Sequence, residues 1–310
     1  LNDGGNTGSG GALQATRTAT VNVSAVDDAS VVTLGRTSGG YTENQSDFII
    51  DNALTLADVD NPTLSSATVS ITGNFRSAED RLLPSSGTVN GITYSYNTGT
   101  GVLTLSGSAT LAAYQDALRS IKYENISENP NTATRTLSIV AGTSVAKTLT
   151  VSIARTNDAP VNNAPLVIPA ITEDAISNAG SLISSFLGAT DADGNALGVA
   201  VTSVDNSNGT WQYSTDGGAT WIAFGTPSDS AARLLRDSDK IRFVPNADFA
   251  GTATIAYRAW DRTTGTVGST ADLSNPNSVG AFKAVTNGDE TAYSATKQTA
   301  TLTVTAVNDA

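Results

Sequence analysis

Residues 299–310 read TATLTVTAVNDA, an alternating run of Thr, Leu and Val that ends in a short acidic motif. The same order, an alternating run followed by the acidic motif, occurs at 18–28 and at 148–158. Alternation of apolar and polar residues over this length is typical of a β-strand with one buried face. The sequence therefore predicts three copies of one unit ending.

The spacing of these endings predicts the domain organisation. The motif closes at Asp28, Asp158 and Asp309, so that the intervals are 158 − 28 = 130 and 309 − 158 = 151 residues. An interval of this length suits one β-sandwich domain and is far longer than a solenoid repeat. We expect 1–28 to be the terminal strand and linker of a preceding repeat, followed by sandwiches at 29–158 and 159–310. On this view the chain is a segment of something longer.

Composition limits the functional classes. Seventeen basic and 29 acidic residues give a net charge of −12, which argues against nucleic acid or an anionic membrane as a partner. His and Cys are absent, which excludes disulfides, His or Cys metal sites and the familiar Ser-His and Cys-His nucleophiles. With no nucleotide-binding or hydrolase motif either, we expect no enzyme. No apolar run approaches a membrane span, so we expect no membrane insertion. The acidity suits an extracellular protein, or one whose carboxylates are occupied by cations.

Turn signals and periodicity define elements inside the first sandwich. The stretch NGITYSYNTGTGVLTLSG (90–107) predicts a hairpin with a Gly-containing turn. The stretch SATLAAYQDALRSIKYEN (108–125) departs from the β pattern, because Leu111, Tyr114, Leu118 and Ile121 recur at helical spacing. We predict one short helix across a sandwich edge, capped by Ser108 or Thr110.

Two stretches define the second sandwich. WQYSTDGGATW (211–221) predicts a tight hairpin whose turn, Asp216-Gly217-Gly218, supplies positive φ angles. IRFVPNADFAGTATIAYRAWD (241–261) predicts two core strands around a Pro-Asn-Ala turn. The polar stretch 262–294, with Asp272, Asp289 and Glu290, has little strand signal, and loops of this length are usually functional or mobile.

Acidic residues recur in a fixed order within each unit. A Glu stands near the start (Glu43, Glu173), an Asp-x-Asp follows (Asp58 and Asp60, Asp191 and Asp193), and the closing motif comes last. Carboxylates with nearby Asn and backbone carbonyl oxygens form the ligand set that Ca²⁺ prefers, and a cation relieves their repulsion. The alternative is that these residues only close turns, since Asp, Asn and Gly are ordinary turn formers.

This order, together with several longer strings, resembles the cadherin-like repeats of large bacterial surface adhesins. The second unit resembles them over nearly its whole length, through DADGN, WQYSTDGGATW, ARLL, RFVPNADFAG and YRAWD. The first unit resembles a related bacterial variant through ATLAAYQDALRSIKYENISENP. The resemblance implies an all-β fold of tandem Greek-key β-sandwiches (cadherin/immunoglobulin-like), each of seven strands, with Ca²⁺ bound between consecutive domains.

The resemblance also implies which residues hold the ions. The ligands at the central junction would be Glu43, Asn157, Asp158, Asp191, Asp193 and Asp261. Those at the junction before the first unit would be Asp27, Asp28, Asp58 and Asp60. Those at the junction after the second unit would be Glu173, Asn308 and Asp309.

The sequence departs from the family pattern at three places. Arg155 and Ala306 stand where animal cadherin linkers carry an acidic residue. The first unit has Ala141-Gly142 where the second has Trp260-Asp261, and no counterpart of the family's mid-domain acidic pair is evident. Fewer carboxylates imply fewer or more weakly bound ions.

Three functions are compatible with these patterns. The first is a non-catalytic stalk segment of a bacterial adhesin or surface fibre, rigidified by Ca²⁺ and joined to adjacent repeats. The second is a self-associating surface-layer or filament subunit that donates the strand at 14–26 to a neighbour. The third is a carbohydrate-binding module for a surface glycan, in which Trp211, Tyr213 and Trp221 stack on sugar; across a hairpin such residues more often pack in the core.

Overall fold

A computed structural model describes residues 16–46, 48–84, 86–164, 167–274 and 290–308. Over these residues the fold is all-β, as predicted, and one nine-residue α-helix accompanies the strands. None of the helices in this part of the chain has the length and hydropathy to cross a membrane.

Two units follow each other along the chain. The elements of the first unit are β1 (Val31–Thr33), β2 (Ser38–Thr42), β3 (Thr55–Ala57), β4 (Thr63–Gly73), β5 (Asp80–Leu83), β6 (Ser86–Val89), β7 (Ile92–Asn97), β8 (Val102–Thr110), α1 (Leu111–Arg119), β9 (Lys122–Asn125), β10 (Arg135–Ala141) and β11 (Lys147–Ala154). Those of the second are β12 (Val161–Asn162), β13 (Ile168–Thr172), β14 (Ser181–Leu182), a 3₁₀ turn (Ile183–Ser185), β15 (Ala189–Thr190), β16 (Gly198–Val204), β17 (Gly209–Ser214), β18 (Ile222–Ala223), β19 (Ala232–Arg236), β20 (Lys240–Pro245), β21 (Gly251–Trp260), β22 (Thr270–Ala271) and β23 (Gln298–Thr305). Domain boundaries at 28/29 and 158/159 stay predictions.

The first unit is built on one wide sheet. Its strand order is β2-β11-β10-β4-β8-β7-β6, and β2 runs parallel to β11. Buried residues alternate with more exposed ones along β10 and β11, as expected for a sheet with one face in the core. One hydrophobic cluster joins this sheet to the pairs β1–β3 and β5–β9 and to α1. This sheet alone has the seven strands expected for a whole sandwich, because the β6–β7 hairpin extends it beyond β8.

The predicted hairpin and helix of the first unit are confirmed. Strands β7 and β8 pair antiparallel through the turn at 98–101. The hydroxyl of Thr110 accepts a hydrogen bond from the backbone N–H of Ala113 (3.2 Å), which caps α1. The helix buries Tyr114, Ala117 and Leu118, so its apolar stripe faces the core as the spacing predicts.

The second unit contains two main sheets around a separate core, besides the short antiparallel pair β12–β15. Their orders are β13-β23-β21-β16-β19-β22 and β14-β20-β17-β18. The core includes Val199, Trp211, Phe243, Tyr257 and Leu302. The stretch 241–261 forms two core strands as predicted, but β20 and β21 belong to different sheets, so the turn between them joins the two layers.

The hairpin at 211–221 is wider than predicted. Strand β17 pairs with β18 through Gln212 and Tyr213, which leaves a loop rather than a two-residue turn. Gly217 and Gly218 have φ angles of 78° and 101°, as the sequence predicts. The carboxylate of Asp216 accepts hydrogen bonds from the backbone N–H of Thr220 (2.9 Å) and from the Ser214 hydroxyl (2.7 Å), and these bonds close the larger loop.

The stretch after β21 is better packed than its sequence indicates. Its described parts form a second hydrophobic cluster with Leu234 and Trp260, to which Leu273 and Tyr293 contribute. The indole N–H of Trp260 donates to the carbonyl of Thr264 (2.7 Å). Asp272 and Glu290 are exposed. Asp289 lies outside the described residues.

The predicted strand at 18–24 is wrong. Residues 16–29 form no strand, and the side chains of Val21 and Val23 are 81% and 89% exposed. The similar run 299–305 does form β23, which pairs with β13 on one side and β21 on the other. A strand needs such neighbours, because its backbone hydrogen bonds are made between strands.

A buried ion pair lies in the core of the first unit. The guanidinium of Arg135 contacts the carboxylate of Asp80 (Nε to Oδ2, 2.9 Å), and both side chains are fully buried. The hydroxyl of Tyr123 donates to Asp80 Oδ1 (2.6 Å), and Glu79 accepts from Arg135 (3.2 Å). The network therefore satisfies two buried charges with each other and with neighbouring polar groups.

Removal of one partner should strongly destabilise the first unit. We expect Asp80→Asn to lower its free energy of unfolding by about 3–5 kcal/mol, because the buried guanidinium loses its main counter-charge. Urea denaturation followed by circular dichroism measures this loss. As a control, Lys297→Met breaks the exposed pair with Asp229 (2.8 Å) and should cost less than about 1 kcal/mol. Equal losses in the two variants would contradict the prediction.

Candidate metal centre

The linker between the units is tied to the second unit through Asp158. This residue lies between β11 and β12, and its side chain is only 5% exposed. Its backbone N–H donates to Oδ2 of Asp193 (2.8 Å). The closing acidic motif and the Asp-x-Asp turn, far apart in sequence, are therefore in direct contact.

Glu43 reaches the same linker from the first unit. It follows β2, and its backbone N–H donates to the carbonyl of Ala154 at the end of β11 (2.9 Å). Its Oε2 accepts from the backbone N–H of Thr156 (2.9 Å). The parallel pairing of β2 with β11 thus turns the Glu43 carboxylate toward the linker, where it is 4% exposed.

The Asp191-Ala192-Asp193 segment lies in a turn, and one carboxylate oxygen of each Asp accepts a backbone hydrogen bond. Oδ1 of Asp191 accepts from the backbone N–H of Asn195 (3.1 Å), which is the self-closing geometry that Asp favours in turns. Gly194 has a φ of 74°, a conformation that other residues adopt at a cost. Asp191 can therefore both close the turn and bind a metal ion, because one oxygen of its carboxylate closes the turn and the other oxygen stays available.

Asp261 and Asn157 link the linker to the end of β21. Asp261 Oδ2 accepts from the side-chain amide of Asn157 (2.7 Å), and Oδ1 accepts from the backbone N–H and hydroxyl of Thr263 (2.8 and 2.7 Å). Asn157 also accepts from the amide of Asn195 (3.3 Å). All six residues predicted for the central junction are therefore gathered around the linker.

Two further residues were missed by the sequence analysis. Glu43, Glu128 and Asp158 each place one carboxylate oxygen within 4.8 Å of the others. The amide of Asn129 donates to the backbone carbonyl of Ala192 in the second unit (3.1 Å). Glu128 and Asn129 belong to the string ISENP, which the sequence analysis used only as a resemblance. An acidic residue beside an Asn-Pro turn is the local signal, but only the topology shows which end of the sandwich it faces.

The carboxylates around the linker perturb one another. Burial, together with the charges of Glu43, Asp193, Glu128 and Asp191, raises the pKa of Asp158 to about 7. Burial likewise raises the pKa of Glu43, with contributions from Asp193 and Glu128. Burial and the charge of Asp261 raise the pKa of Asp191. The fully ionised cluster is therefore costly without a cation.

Buried oxygen atoms without hydrogen-bond partners indicate which kind of ligand the cluster could bind. Four buried oxygens at the junction accept no hydrogen bond from the residues that the structure describes: Glu43 Oε1, Asn129 Oδ1, Asp158 Oδ2 and Asp191 Oδ2. Buried polar atoms are nearly always paired, so four such atoms around one linker require an explanation. Carboxylate and amide oxygens are ligands that Ca²⁺ prefers, and four of them would supply part of its six to eight oxygen ligands.

The acidic residues before the first unit repeat this geometry with less burial. The backbone N–H of Asp28 donates to Oδ2 of Asp60 (2.8 Å), and the amide of Asn61 donates to Oδ1 of Asp27 (2.6 Å). Asp27, Asp28 and Asp60 are exposed, and the backbone N–H of Asn61 lowers the pKa of the Asp58 carboxyl. Gly142 follows β10 where Asp261 follows β21, so this cluster has one carboxylate fewer.

Of the residues predicted for the junction after the second unit, Glu173 makes the contacts that the structure describes. Its backbone N–H donates to the carbonyl of Thr305 (3.0 Å), and its Oε1 accepts from the backbone N–H of Val307 (2.7 Å). These bonds match those of Glu43 with the linker. Asn308 is exposed beside it, and Asp309 lies outside the described residues.

The aromatic residues do not form the platform that sugar stacking requires. Trp211 is completely buried and packs against Phe243 with ring centroids 5.3 Å apart. Tyr213 packs on Phe224 (5.0 Å). The Arg242 guanidinium covers one face of Trp221 at 4.3 Å. The core-packing alternative is confirmed for Trp211 and Tyr213.

Comparisons with known proteins give a local relative and a set of structural neighbours. No family model matches the chain. Over 101 residues, 32% of this chain, it is 36% identical to halomucin of Haloquadratum walsbyi (strain DSM 16790 / HBSQ001). That stretch covers 1% of halomucin, so the chain spans a very small part of this relative.

The structural neighbours include cadherin domains. Human mucin-like protocadherin EC1-2 is similar over 89% of this chain and 99% of its own, with a TM-score of 0.36 and 12% identity. Mouse cadherin-23 EC22-24 is similar over 91% of this chain and 68% of its own, with a TM-score of 0.35 and 13% identity. At these values the likeness carries no information about what this chain binds.

The raised pKa of Asp158 predicts a stability that falls with rising pH when divalent cations are absent. Between about pH 4 and 7 the folded chain keeps a proton on Asp158 that the unfolded chain releases, so the unfolded state gains stability as pH rises. One pKa unit is worth about 1.4 kcal/mol, and about 1 kcal/mol moves Tm by roughly 2–4 °C in a domain of 150–250 residues. We expect at least such a fall in Tm from about pH 5 to about pH 7.5 in chelator.

Asp158→Asn should remove most of that fall. Thermal unfolding followed by circular dichroism at both pH values measures it. Asp205→Asn is the matched control, because the Ser207 hydroxyl lowers the pKa of Asp205 and its titration ends below this window. An unchanged pH slope in Asp158→Asn would contradict the assignment of the proton to this carboxyl.

Proposed function

We propose that this chain is a non-catalytic structural segment of an extracellular stalk, in which Ca²⁺ bound at the linker fixes one β-sandwich against the next. The observation that carries the proposal is the group of four unpartnered buried oxygens, drawn from the first unit, the linker and the second unit. The domain boundaries at 158/159 and 28/29 are part of this proposal. The resemblance to bacterial adhesin repeats favours a surface fibre of that kind.

The residues divide between holding the ion and shaping the site. Glu43, Glu128 and Asn129 would bind from the first unit, Asp158 from the linker, and Asp191 from the second unit. Asp193 has one oxygen committed to the Asp158 backbone, and Asp261 has both oxygens in hydrogen bonds to Asn157 and Thr263. Bound Ca²⁺ supplies the positive charge that the cluster lacks.

The electrostatics explain why such a linker would be stiff only with the cation. Carboxylates of both units converge on Asp158, so without a counter-charge their repulsion favours separation of the units. A cation held by ligands from both sides replaces that repulsion with attraction to one point. A series of such junctions would form a rod that holds a distal domain away from a cell. Extracellular modules commonly bind Ca²⁺ at about 10⁻⁴–10⁻³ M, which suits this location.

Thermal unfolding with Ca²⁺ and with excess chelator tests the site. A ligand that binds only the folded state stabilises it by about 2.7 kcal/mol at 100 times its Kd, so Tm should rise clearly with Ca²⁺. We expect Glu43→Gln and Asp191→Asn to lose most of that rise. Asp205→Asn removes an acidic turn residue away from the linker and should keep it. Identical melts in Ca²⁺ and chelator for the unaltered chain would leave the acidic motifs as turn formers only.

Small-angle X-ray scattering tests the mechanical part of the proposal. With Ca²⁺ we expect a single extended shape, and with chelator a broader distribution of dimensions, because the linker is released. Asp191→Asn should show the broad distribution in both conditions. A rise in molecular mass with concentration, reduced by Val21→Lys and Val23→Lys, would instead support strand exchange between copies through residues 18–24.

A further inference from the structure

The loop of residues 126–131 (ISENPN) carries two of the proposed ligands, and the structure shows how it is held. Glu128 and Asn129 bring a carboxylate oxygen and an unpartnered amide oxygen to the junction. Loops that connect strands are usually the most variable part of a sandwich. This loop instead makes hydrogen bonds to its own core, to the linker and to the second unit.

Glu79 holds both ends of the loop. Its backbone carbonyl accepts from the N–H of Ile126 (2.9 Å). Its carboxylate Oε2 accepts from the N–H of Asn131 (3.0 Å) and from Nη2 of Arg135 (3.2 Å). One residue thus closes the loop, and its carboxylate is kept in place by the buried guanidinium.

A chain of hydrogen bonds continues from this network into the loop. Oδ1 of Asn125 accepts from the N–H of Ser127 (3.0 Å), and the Ser127 hydroxyl accepts from the N–H of Asn129 (3.1 Å). Nη1 of Arg135 donates to the carbonyl of Asn131 (2.9 Å). The inner side of the loop is therefore fixed directly by the buried Asp80–Arg135 pair and its neighbours.

Arg155 holds the outer side of the loop. Its Nε donates to the carbonyl of Pro130 (2.7 Å). This is the linker position at which the resemblance implies an acidic residue. Burial raises the pKa of Glu43, and the nearby positive charge of Arg155 offsets part of that rise. On charge alone, Arg155 therefore disfavours a cation at the junction.

We propose that Glu79 and Arg155 are positioning residues that set the oxygens of Glu128 and Asn129 for the cation, and that neither is a ligand. The inference rests on the proposed function. It explains why a cation-disfavouring arginine stands in the linker: its hydrogen bond to Pro130 fixes the loop that supplies Glu128.

The test measures Ca²⁺ affinity by isothermal titration calorimetry on the whole chain. Residues behind metal ligands typically contribute about 10–100-fold to metal affinity, so Glu79→Gln should raise the Kd by about 10-fold or more. In the double variant Glu79→Gln, Glu128→Gln, the rise in Kd should be well below the product of the two single rises, because Glu79 acts through the loop that carries Glu128. Asp229→Asn is the control, since the Asp229 carboxylate pairs with Lys297 on the surface of the second unit, and the Kd of this variant should not change.

Arg155→Met separates positioning from charge. It keeps the aliphatic stem and removes the donor and the charge, so electrostatics alone predicts tighter Ca²⁺ binding, whereas loss of positioning predicts weaker binding. We expect a several-fold higher Kd. Tighter binding in Arg155→Met, or fully multiplicative effects of Glu79→Gln and Glu128→Gln, would overturn the inference. If Glu79→Gln fails to fold in chelator by circular dichroism, the Arg155→Met result decides.

The outcomes also separate this inference from the proposed function. Absence of Ca²⁺ binding by the unaltered chain would remove both. Binding that is weakened by Glu128→Gln but unchanged by Glu79→Gln and Arg155→Met would keep the junction site and remove only the positioning roles.

Discussion

The arrangement of this chain depends on one electrostatic constraint, the convergence of carboxylates from two units on a linker where Glu43 and Asp158 are buried. Asp158 is the centre of that convergence, since Glu43, Glu128 and Asp193 all raise its pKa in addition to burial. A cluster of this kind is stable in only two ways, by holding protons or by holding a cation. The first links the junction to pH, and the second is the basis of the proposed Ca²⁺ site.

The fold serves this constraint by repeating one local geometry at each unit ending. Glu43 and Glu173 each bond to the end of the last strand of their unit and to the residues just beyond it. Asp28 and Asp158 each donate a backbone N–H to the second Asp of the following Asp-x-Asp turn. Parallel pairing of the early strand with the last one places the Glu at the end of the sandwich where the last strand leaves it. The junction is thus a consequence of sheet topology.

The linker departs from the pattern that the sequence resembles, and a neighbouring loop lies where it departs. The linker carries Arg155 instead of an acid, and the loop that this arginine holds brings Glu128 to the junction. The buried pair Asp80–Arg135 contributes little net stability of the kind that apolar packing gives, but it fixes the base of that loop. The first unit has Gly142 where the second has Asp261, and the acidic residues Asp27, Asp28 and Asp60 ahead of this unit are exposed.

The sequence by itself determined the strands, the short helix, the hairpins and the repeated order of acidic residues, because periodicity, turn formers and caps are local properties. The resemblance implied six junction residues, and all six lie around the linker, while their role as ligands stays a prediction. The sequence did not identify Glu128 and Asn129, it assigned a strand to 18–24, and it favoured core packing of Trp211 without establishing it. Only the tertiary structure decided these points, because each depends on which distant segment lies alongside: a sheet neighbour for the strand, a second layer for the tryptophan, and the end of the sandwich that a loop faces.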